Sequence, residues 1–273
     1  MPRVAVVGNL SRDRVDGGAP RPGGCAFFAV EALRRLGRAG QIATRHAHAD
    51  DAIFGPALAA VEQPITLLPA DATSGFALDY SGEDRAMTVT EIGPIWQPVD
   101  ASALEPSVEW VHVAPLLRSD FPAETLAALA ADGRKVSVDG QGLVRVPQLG
   151  PMLENGDYDP AMLGHITVLK LAENEAKVIA APRPFDAEAA FGFGVPEVLL
   201  TLGSRGSIVY ADGVETAVPA ARPVLGVQTT GAGDVFMVSY IVARSDGADP
   251  VAAAASASRI VAEMLEDRLQ TQT

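Results

Sequence analysis

Short apolar runs alternate with amphipathic stretches along most of this chain. The first run, residues 4–7, is continuously apolar and ends at Gly8, which is typical of a strand buried on both faces of a parallel sheet. Further runs of this kind lie at 42–44, 65–68, 110–113, 136–138, 166–169 and 198–202. Segments with apolar residues at helical spacing separate them, at about 26–36, 51–61, 122–131, 235–242 and 249–268. This alternation predicts an α/β fold in three layers, with a mainly parallel sheet between helices.

One segment changes from this pattern to the alternation of an exposed strand. Phe76, Leu78 and Tyr80 alternate with small or polar residues, a polar turn follows at 81–84, and residues 85–90 predict a second strand. The segment 9–22 is polar and rich in Gly, Pro and Arg, which predicts loop or exposed strand. An antiparallel hairpin therefore interrupts the parallel pattern.

Composition narrows the class of protein. The chain has 273 residues, of which 48% are hydrophobic, so it can bury a substantial core. Its 21 basic and 34 acidic side chains give a net charge of −13, which argues against nucleic acid or an anionic membrane as a partner. The single cysteine, Cys25, excludes an internal disulfide framework. The first apolar run is too short for a signal peptide, and no uncharged apolar run approaches the ~18 residues of a membrane span, so a cytoplasmic protein is expected.

Several common kinds of site are absent or disfavoured. No Gly-x-x-x-x-Gly-Lys-Ser/Thr sequence occurs, which excludes a P-loop enzyme. The first strand runs into Gly-Asn-Leu-Ser-Arg at 8–12 rather than G-x-G-x-x-G, which disfavours a nicotinamide-dependent oxidoreductase. His46 and His48 lie two residues apart but have no third metal ligand nearby in sequence, so core or surface roles are favoured for the histidines.

The sequence Thr-Thr-Gly-Ala-Gly-Asp at 229–234 carries the clearest chemical signal. It precedes the apolar helical stretch 235–242, so its glycines lie at a helix N-terminus, where free N–H groups and the helix dipole favour an anion. Two interpretations of Asp234 follow from the local physics. It is either a stabilising acid in the first helical turn or a general base beside an anion site, as phosphoryl transfer to a hydroxyl requires.

This sequence resembles the C-terminal signature of the PfkB, or ribokinase-like, carbohydrate kinases. A second resemblance lies near the N-terminus, where Gly23-Gly24 is followed by Ala26, Ala29, Leu33 and Leu36-Gly37. The two matches occur in the family's order, and the resemblance covers essentially the whole chain. It implies one ribokinase-like domain over 1–273, with a small β-sheet lid formed by about 11–21 and 72–95. It also leaves open a homodimer formed through the lid.

The resemblance assigns roles to residues of this chain. It implies that Asp234 is the general base, and that the N–H groups of the adjacent turn stabilise the transferring phosphoryl group: Gly231, Ala232 and Gly233. Substrate-binding positions are then Ser11, Asp13, Gly23, Gly24, Phe28 and Gln141. Nucleotide-binding positions are Lys170, Thr201, Gly203, Gly206 and Thr230. Glu175 would act on magnesium through water, an interpretation slightly favoured over that of a first-turn helix acid.

Three positions depart from the family pattern. Phe28 and Ala172 stand where relatives commonly have Asn, and Gln228 stands where they commonly have Asp. The segment Gln141-Gly142 is closer to the branch that contains inositol kinases.

The sequence therefore predicts a kinase that uses ATP and Mg²⁺ to phosphorylate a hydroxyl of a sugar or cyclitol. A nucleoside kinase of the same fold is the alternative. A non-catalytic ligand-binding relative also stays open, because the three departures remove polar groups from the site; the retained Asp234 speaks against it.

Overall fold

The structure is a computed structural model that describes residues 1, 3–80 and 86–271. The turn predicted at 81–84, and Arg85 at the start of the second hairpin strand, lie outside the described residues. No helix in the described part of the chain has the length and apolar character needed to cross a membrane.

Fourteen strands and eight α-helices make up the described fold. The strands are β1 (Val4–Asn9), β2 (Ser11–Val15), β3 (Arg21–Gly23), β4 (Gln41–Arg45), β5 (Ile65–Leu68), β6 (Ser74–Asp79), β7 (Ala86–Glu91), β8 (Trp110–Val113), β9 (Lys135–Asp139), β10 (Gly150–Pro151), β11 (Val168–Ala172), β12 (Glu197–Thr201), β13 (Ser207–Ala211) and β14 (Val214–Val218). The helices are α1 (Cys25–Leu36), α2 (Asp51–Ala59), α3 (Ala123–Leu129), α4 (Gln141–Val144), α5 (Glu173–Ala180), α6 (Ala187–Gly192), α7 (Ala232–Ser245) and α8 (Pro250–Thr271). Short 3₁₀ turns lie at His48–Asp50, Pro98–Ala103, Ala131–Gly133, Pro160–His165 and Gly203–Arg205.

The larger sheet has the order β14-β13-β12-β11-β9-β8-β1-β4-β5. The seven strands from β12 to β5 run parallel, and β13 and β14 continue the sheet in antiparallel fashion. Because successive side chains of a strand point to opposite faces, Val4 and Val6 pack on one side of β1 while Ala5 and Val7 pack on the other. Helices α1, α7 and α8 cover the first side, and the side chains of α3, α5 and α6 belong to the core on the second. The predicted three-layer, mainly parallel α/β/α fold is confirmed.

The smaller sheet has the order β10-β7-β6-β2-β3. Its β6–β7 hairpin is antiparallel, as predicted, and β2 pairs with β6 in parallel. Strand β10 lies outside the two predicted lid segments, and β3 extends beyond the predicted 21 to Gly23. A two-residue strand carries no alternation of polar and apolar positions, so the sequence pattern could not reveal β10. Phe76, Leu78 and Val89 of this sheet are buried, Phe76 and Val89 in a cluster with Leu116 and Leu117.

Candidate active site

Two cavities meet at the N-terminus of α7. The larger, about 960 Å³, is lined by residues of the smaller sheet, of β9 and of the 227–234 segment. The smaller, about 570 Å³, is lined by the 201–206 turn, the 222–227 segment, α7 and α8. Lys170, Val227, Thr229 and Gly233 line both cavities, so these residues form the junction between them. Strands β9, β11 and β12 end here, and the carboxyl ends of parallel strands are where α/β folds bind ligands.

The turn at 231–234, called the anion turn below, begins α7 and presents backbone N–H groups at this junction. Gly231 precedes the helix with φ +80°, a left-handed conformation that favours glycine. Within the described residues, no acceptor pairs with the N–H groups of Gly231, Gly233 or Asp234. The N–H of Ala232 instead donates to the carbonyl oxygen of Thr229 at 2.9 Å. In this conformation that donor closes the turn, and a contribution of Ala232 to the anion site stays a prediction.

The aromatic ring of Phe28 lies directly against this turn. A Cβ atom on Gly231 would stand only 2.1 Å from Cδ1 of Phe28, so the close contact requires glycine at this position. Phe28 also lines the larger cavity. The predicted substrate-side position of Phe28 and the anion turn are thus in contact with each other.

A buried ion pair lies beside the turn. Lys170 of β11 is in register with Asp139 of β9 in the parallel ladder, and its Nζ lies 3.3 Å from Oδ1 of Asp139. Its Nζ would also lie 3.4 Å from a Cβ on Gly233, so the ammonium faces the start of α7. Burial lowers the pKa of Lys170, but the charges of Asp139, Glu175 and Asp234 outweigh it and leave the pKa raised. A positive charge is therefore held where the two cavities meet.

Asp234 is half-buried in the first turn of α7 and lines the larger cavity. Burial, and then the charge of Asp139, raise the pKa of Asp234 to about 6; a hydrogen bond with Cys25 and the charges of Lys170 and Arg145 act in the opposite direction. Such a carboxylate is more basic than usual and still ionised near neutral pH, which suits a general base.

The larger cavity is lined by both polar and apolar residues. Its polar lining includes Ser11, Asp13, Gly24 and Gln141, which were assigned to substrate binding from the sequence. The side-chain amide of Gln141 donates to the carbonyl oxygen of Pro115 at 2.6 Å, which orients it. Its apolar lining comes from the smaller sheet, through Val15, Phe76, Leu78 and Met87, and from Phe28 of α1 and Leu116.

Gly23 lies outside the lining of the larger cavity, contrary to its predicted contact with substrate. A Cβ there would lie 2.2 Å from Oδ2 of Asp13 and 2.6 Å from Oγ of Ser11. Gly23 therefore makes room for the Asp13 and Ser11 side chains and acts on the cavity through them.

The smaller cavity collects most of the predicted nucleotide-binding positions. Thr201, Gly203 and Gly206 line it together with Lys170. Its remaining lining is largely apolar and includes Val224, Leu225, Phe236, Val261 and Leu265. Thr230 was predicted for this group but lines the larger cavity, between Thr229, which lines both cavities, and Gly231, which lines the larger one.

Glu175 lines neither cavity. It is buried in the first turn of α5, and its Oε2 accepts a hydrogen bond from the backbone N–H of Ala172 at 2.7 Å. This contact stabilises the start of the helix. The structure thus supports the interpretation of Glu175 as a helix-start acid, and its action on magnesium through water stays a prediction. The described residues contain no group of three or more His, Cys, Asp or Glu side chains that could hold a metal ion.

The larger cavity is also lined by residues to which no role was assigned from the sequence, among them Cys25 and Asp139. Asp139 is the last residue of β9, at the end of an apolar run, and Arg145, which also lines the cavity, follows α4. The place of Asp139 at the end of a strand was the only sequence feature that could have indicated its role, because its partner Lys170 lies on a different strand.

Residues 91–270 match the model of the pfkB family of carbohydrate kinases, and the chain belongs to this family. It is therefore a phosphotransferase that acts on a hydroxyl group. The resemblance stated from Thr-Thr-Gly-Ala-Gly-Asp is confirmed.

Several solved structures share this fold at low sequence identity. A pyrophosphate-dependent kinase of the ribokinase family, complexed with a pyrophosphate analogue and myo-inositol, is 22% identical with a TM-score of 0.81, covering 96% of this chain and 95% of that one. Ribokinase from Arabidopsis thaliana, complexed with ribose and ATP, is 17% identical with a TM-score of 0.73, covering 97% and 93%. A nucleoside kinase from Burkholderia thailandensis, in complex with inosine, is 18% identical with a TM-score of 0.73, covering 96% and 90%. Comparison with curated protein sequences gives no significant match.

Proposed function

We propose that this protein transfers the γ-phosphoryl group of ATP to a hydroxyl of a cyclitol or sugar, with Asp234 as general base. The observation that carries the proposal is the junction of the two cavities at Lys170 and Gly233, with Asp234 facing the larger one. One ligand in each cavity would bring a hydroxyl and a terminal phosphate together at that junction, which supplies the proximity that phosphoryl transfer needs.

The acceptor hydroxyl would bind beside Asp234. As its oxygen attacks phosphorus, the proton passes to the Asp234 carboxylate, which is ionised at neutral pH and retains a pKa of about 6. The free N–H groups of Gly231, Gly233 and Asp234 and the ammonium of Lys170 would stabilise the charge on the transferring group.

The smaller cavity favours a nucleotide over pyrophosphate as the donor. It is lined mainly by apolar side chains and has a volume of about 570 Å³, which suits a base and a ribose. Of its lining residues only Lys170 and Arg222 are cationic, and Arg222 is held by both carboxylate oxygens of Glu266. A pyrophosphate site would need more free cationic groups in the same place.

Magnesium fits the site as a companion of the nucleotide. The described residues do not form an all-protein ligand cluster, and Mg²⁺ commonly binds through substrate phosphates, waters and one or two carboxylates. The charges of Asp139, Glu175 and Asp234 act on Lys170 at the junction, and Asp139 and Asp234 line the larger cavity, so these carboxylates would be available to the ion. Bound Mg²⁺ would neutralise charge on the phosphates.

The larger cavity favours an acceptor with one apolar face. Phe28 offers no hydrogen bond, so a substrate hydroxyl directed at it would lose its water without gaining a partner. A cyclitol can place ring C–H groups against Phe28 and hydroxyls against Asp13 and Gln141. The volume of about 960 Å³ exceeds what one cyclitol fills, and this favours a nucleoside as the second candidate acceptor.

We also propose that the smaller sheet closes over the acceptor, since its buried side chains Phe76 and Leu78 line the cavity. Closure would exclude water, which otherwise competes as the acceptor.

The test is a panel of cyclitols, sugars and nucleosides with magnesium–ATP and, separately, with magnesium–pyrophosphate, comparing kcat/KM. We expect a cyclitol with ATP to give the highest value. Ribose or fructose as the best acceptor would refute the argument from Phe28, and pyrophosphate as the better donor would refute the argument from the smaller cavity. Ligand binding without turnover on every member would instead support a non-catalytic relative.

A further inference from the structure

The last turns of the C-terminal helix α8 are tied to the segment that leads into the anion turn. Three consecutive charged residues of this helix contact three different parts of the chain. Glu266 pairs with Arg222 at 2.6 and 3.0 Å, and Asp267 pairs with Arg35 of α1 at 2.7 Å. Arg268 contacts the backbone of the loop immediately before Gly231.

The contact of Arg268 is specific in its geometry. Its Nη1 donates to the carbonyl oxygen of Gln228 at 3.1 Å and to that of Thr230 at 2.8 Å. The carbonyl between them, that of Thr229, accepts from the N–H of Ala232. Three successive carbonyl groups before the anion turn are therefore all occupied, two of them by one guanidinium nitrogen. Charge-assisted hydrogen bonds of this kind are the stronger ones.

This loop forms part of the junction between the cavities. Val227 and Thr229 line both of them, and Gly231 with its free N–H follows directly. A shift of the carbonyls at 228 and 230 would rotate the peptide groups that set the conformation of Gly231. Preorganised N–H groups stabilise a transition state only while they hold their positions.

We propose that Arg268 is a positioning residue for phosphoryl transfer: its guanidinium fixes the 228–230 backbone and thereby the N–H groups of the anion turn. Arg268 lines neither cavity and acts through the loop. This inference rests on the proposed function for its kinetic readout, but the loop geometry can be measured without activity.

The experiment compares Arg268→Ala and Arg268→Lys with two controls on the same helix. Asp267→Asn breaks the adjacent tie to α1 without touching the loop, and Arg259→Ala removes an exposed arginine whose partner is Ser256 on the same helix. Each variant is examined by its melting temperature, its kcat and KM, and hydrogen exchange of the amides at 228–235.

We expect Arg268→Ala to lower kcat by roughly 10²-fold, the scale of a displacement of about 1 Å among catalytic groups, and to speed amide exchange in 228–235. Arg268→Lys should recover only part of the rate, since an ammonium lacks the planar guanidinium fork. Guanidinium ion added at a concentration that does not unfold the protein should restore part of the activity of Arg268→Ala. Both controls should retain wild-type kcat and wild-type exchange in this segment, whatever their melting temperatures.

Unchanged exchange at 228–235 in Arg268→Ala would overturn the proposal. A kcat of Arg268→Ala within a few-fold of wild type would also overturn it, as would a loss of kcat that Asp267→Asn reproduces. Either result would mean that Arg268 only stabilises the fold. If the wild-type protein transfers no phosphate, the proposed function fails; faster exchange confined to Arg268→Ala would still support the positioning of the loop.

Discussion

Replacing Asp234 by Asn distinguishes the two interpretations of this residue. A buried general base predicts a variant with lower activity and higher stability, whereas a helix-start acid predicts lower stability. If Asp234 is the general base, Asp234→Asn should lower kcat by roughly 10²–10⁴-fold, the usual contribution of a positioned base. The amide keeps the size and shape of the side chain, so binding of the nucleotide should change little.

The same substitution should stabilise the fold at neutral pH. The pKa of Asp234 is about 6 in the folded protein against an ordinary value of 3.8, so ionisation is disfavoured by folding. The folded state therefore has its full relative stability below pH 3.8 and loses stability as the pH rises through 6. A difference of about two pKa units corresponds to at most about 3 kcal/mol. An Asn has no charge to bury, so Asp234→Asn should raise the free energy of unfolding at pH 8, and the gain should shrink as the pH falls below 6.

A helix-start acid predicts the opposite sign. Such a carboxylate stabilises a helix by about 0.3–1 kcal/mol, and its removal should lower stability. Asp249 provides the matched control: it is exposed, and its Oδ1 accepts from the backbone N–H of Ala252 at the start of α8. Urea unfolding over a pH series, together with kcat on a confirmed acceptor, gives both quantities. A variant Asp234→Asn that turns over within a few-fold of wild type, or that is less stable at pH 8, would refute the reasoning.

Three further predictions concern the same site. For wild type, kcat/KM should fall about tenfold per pH unit below pH 6, because protonation of Asp234 removes the base; a flat profile down to pH 5 would contradict this. Replacing sodium by potassium at constant ionic strength should change the rate little, because Gln228 carries a neutral amide and Arg268 already binds the loop carbonyls. Strong activation by potassium would contradict this. Removing magnesium should abolish turnover. Gly231→Ala should destabilise the protein by about 1–3 kcal/mol, because residue 231 has a positive φ and the added Cβ would collide with Phe28. Adding Phe28→Ala to this variant should recover part of the lost stability. Melting temperatures that show no such coupling would exclude the contact.

The order of elements could be predicted from the sequence because it depends on local pattern. Apolar runs of strand length, helical spacing and glycine boundaries are properties of neighbouring residues, and they placed β5 and β8 at their observed bounds. The start of α7 followed from Gly231 and Gly233 in the same way. With it came the expectation of N–H groups directed at an anion beside Asp234. In the described residues those of Gly231, Gly233 and Asp234 have no acceptor, and that of Ala232 donates to Thr229.

Residues distant in sequence decided the rest. Lys170 acquires Asp139 only through the register of two parallel strands, and Phe28 meets Gly231 only because α1 packs against α7. The raised pKa of Asp234 depends on burial and on Asp139, neither of which a local pattern contains. Arg268 reads as an ordinary basic residue near the end of a helix, and only tertiary packing brings its guanidinium to the loop before the anion turn. The sequence thus determined which groups are present and which element carries each one, whereas the charges and contacts that tune those groups arise from long-range packing.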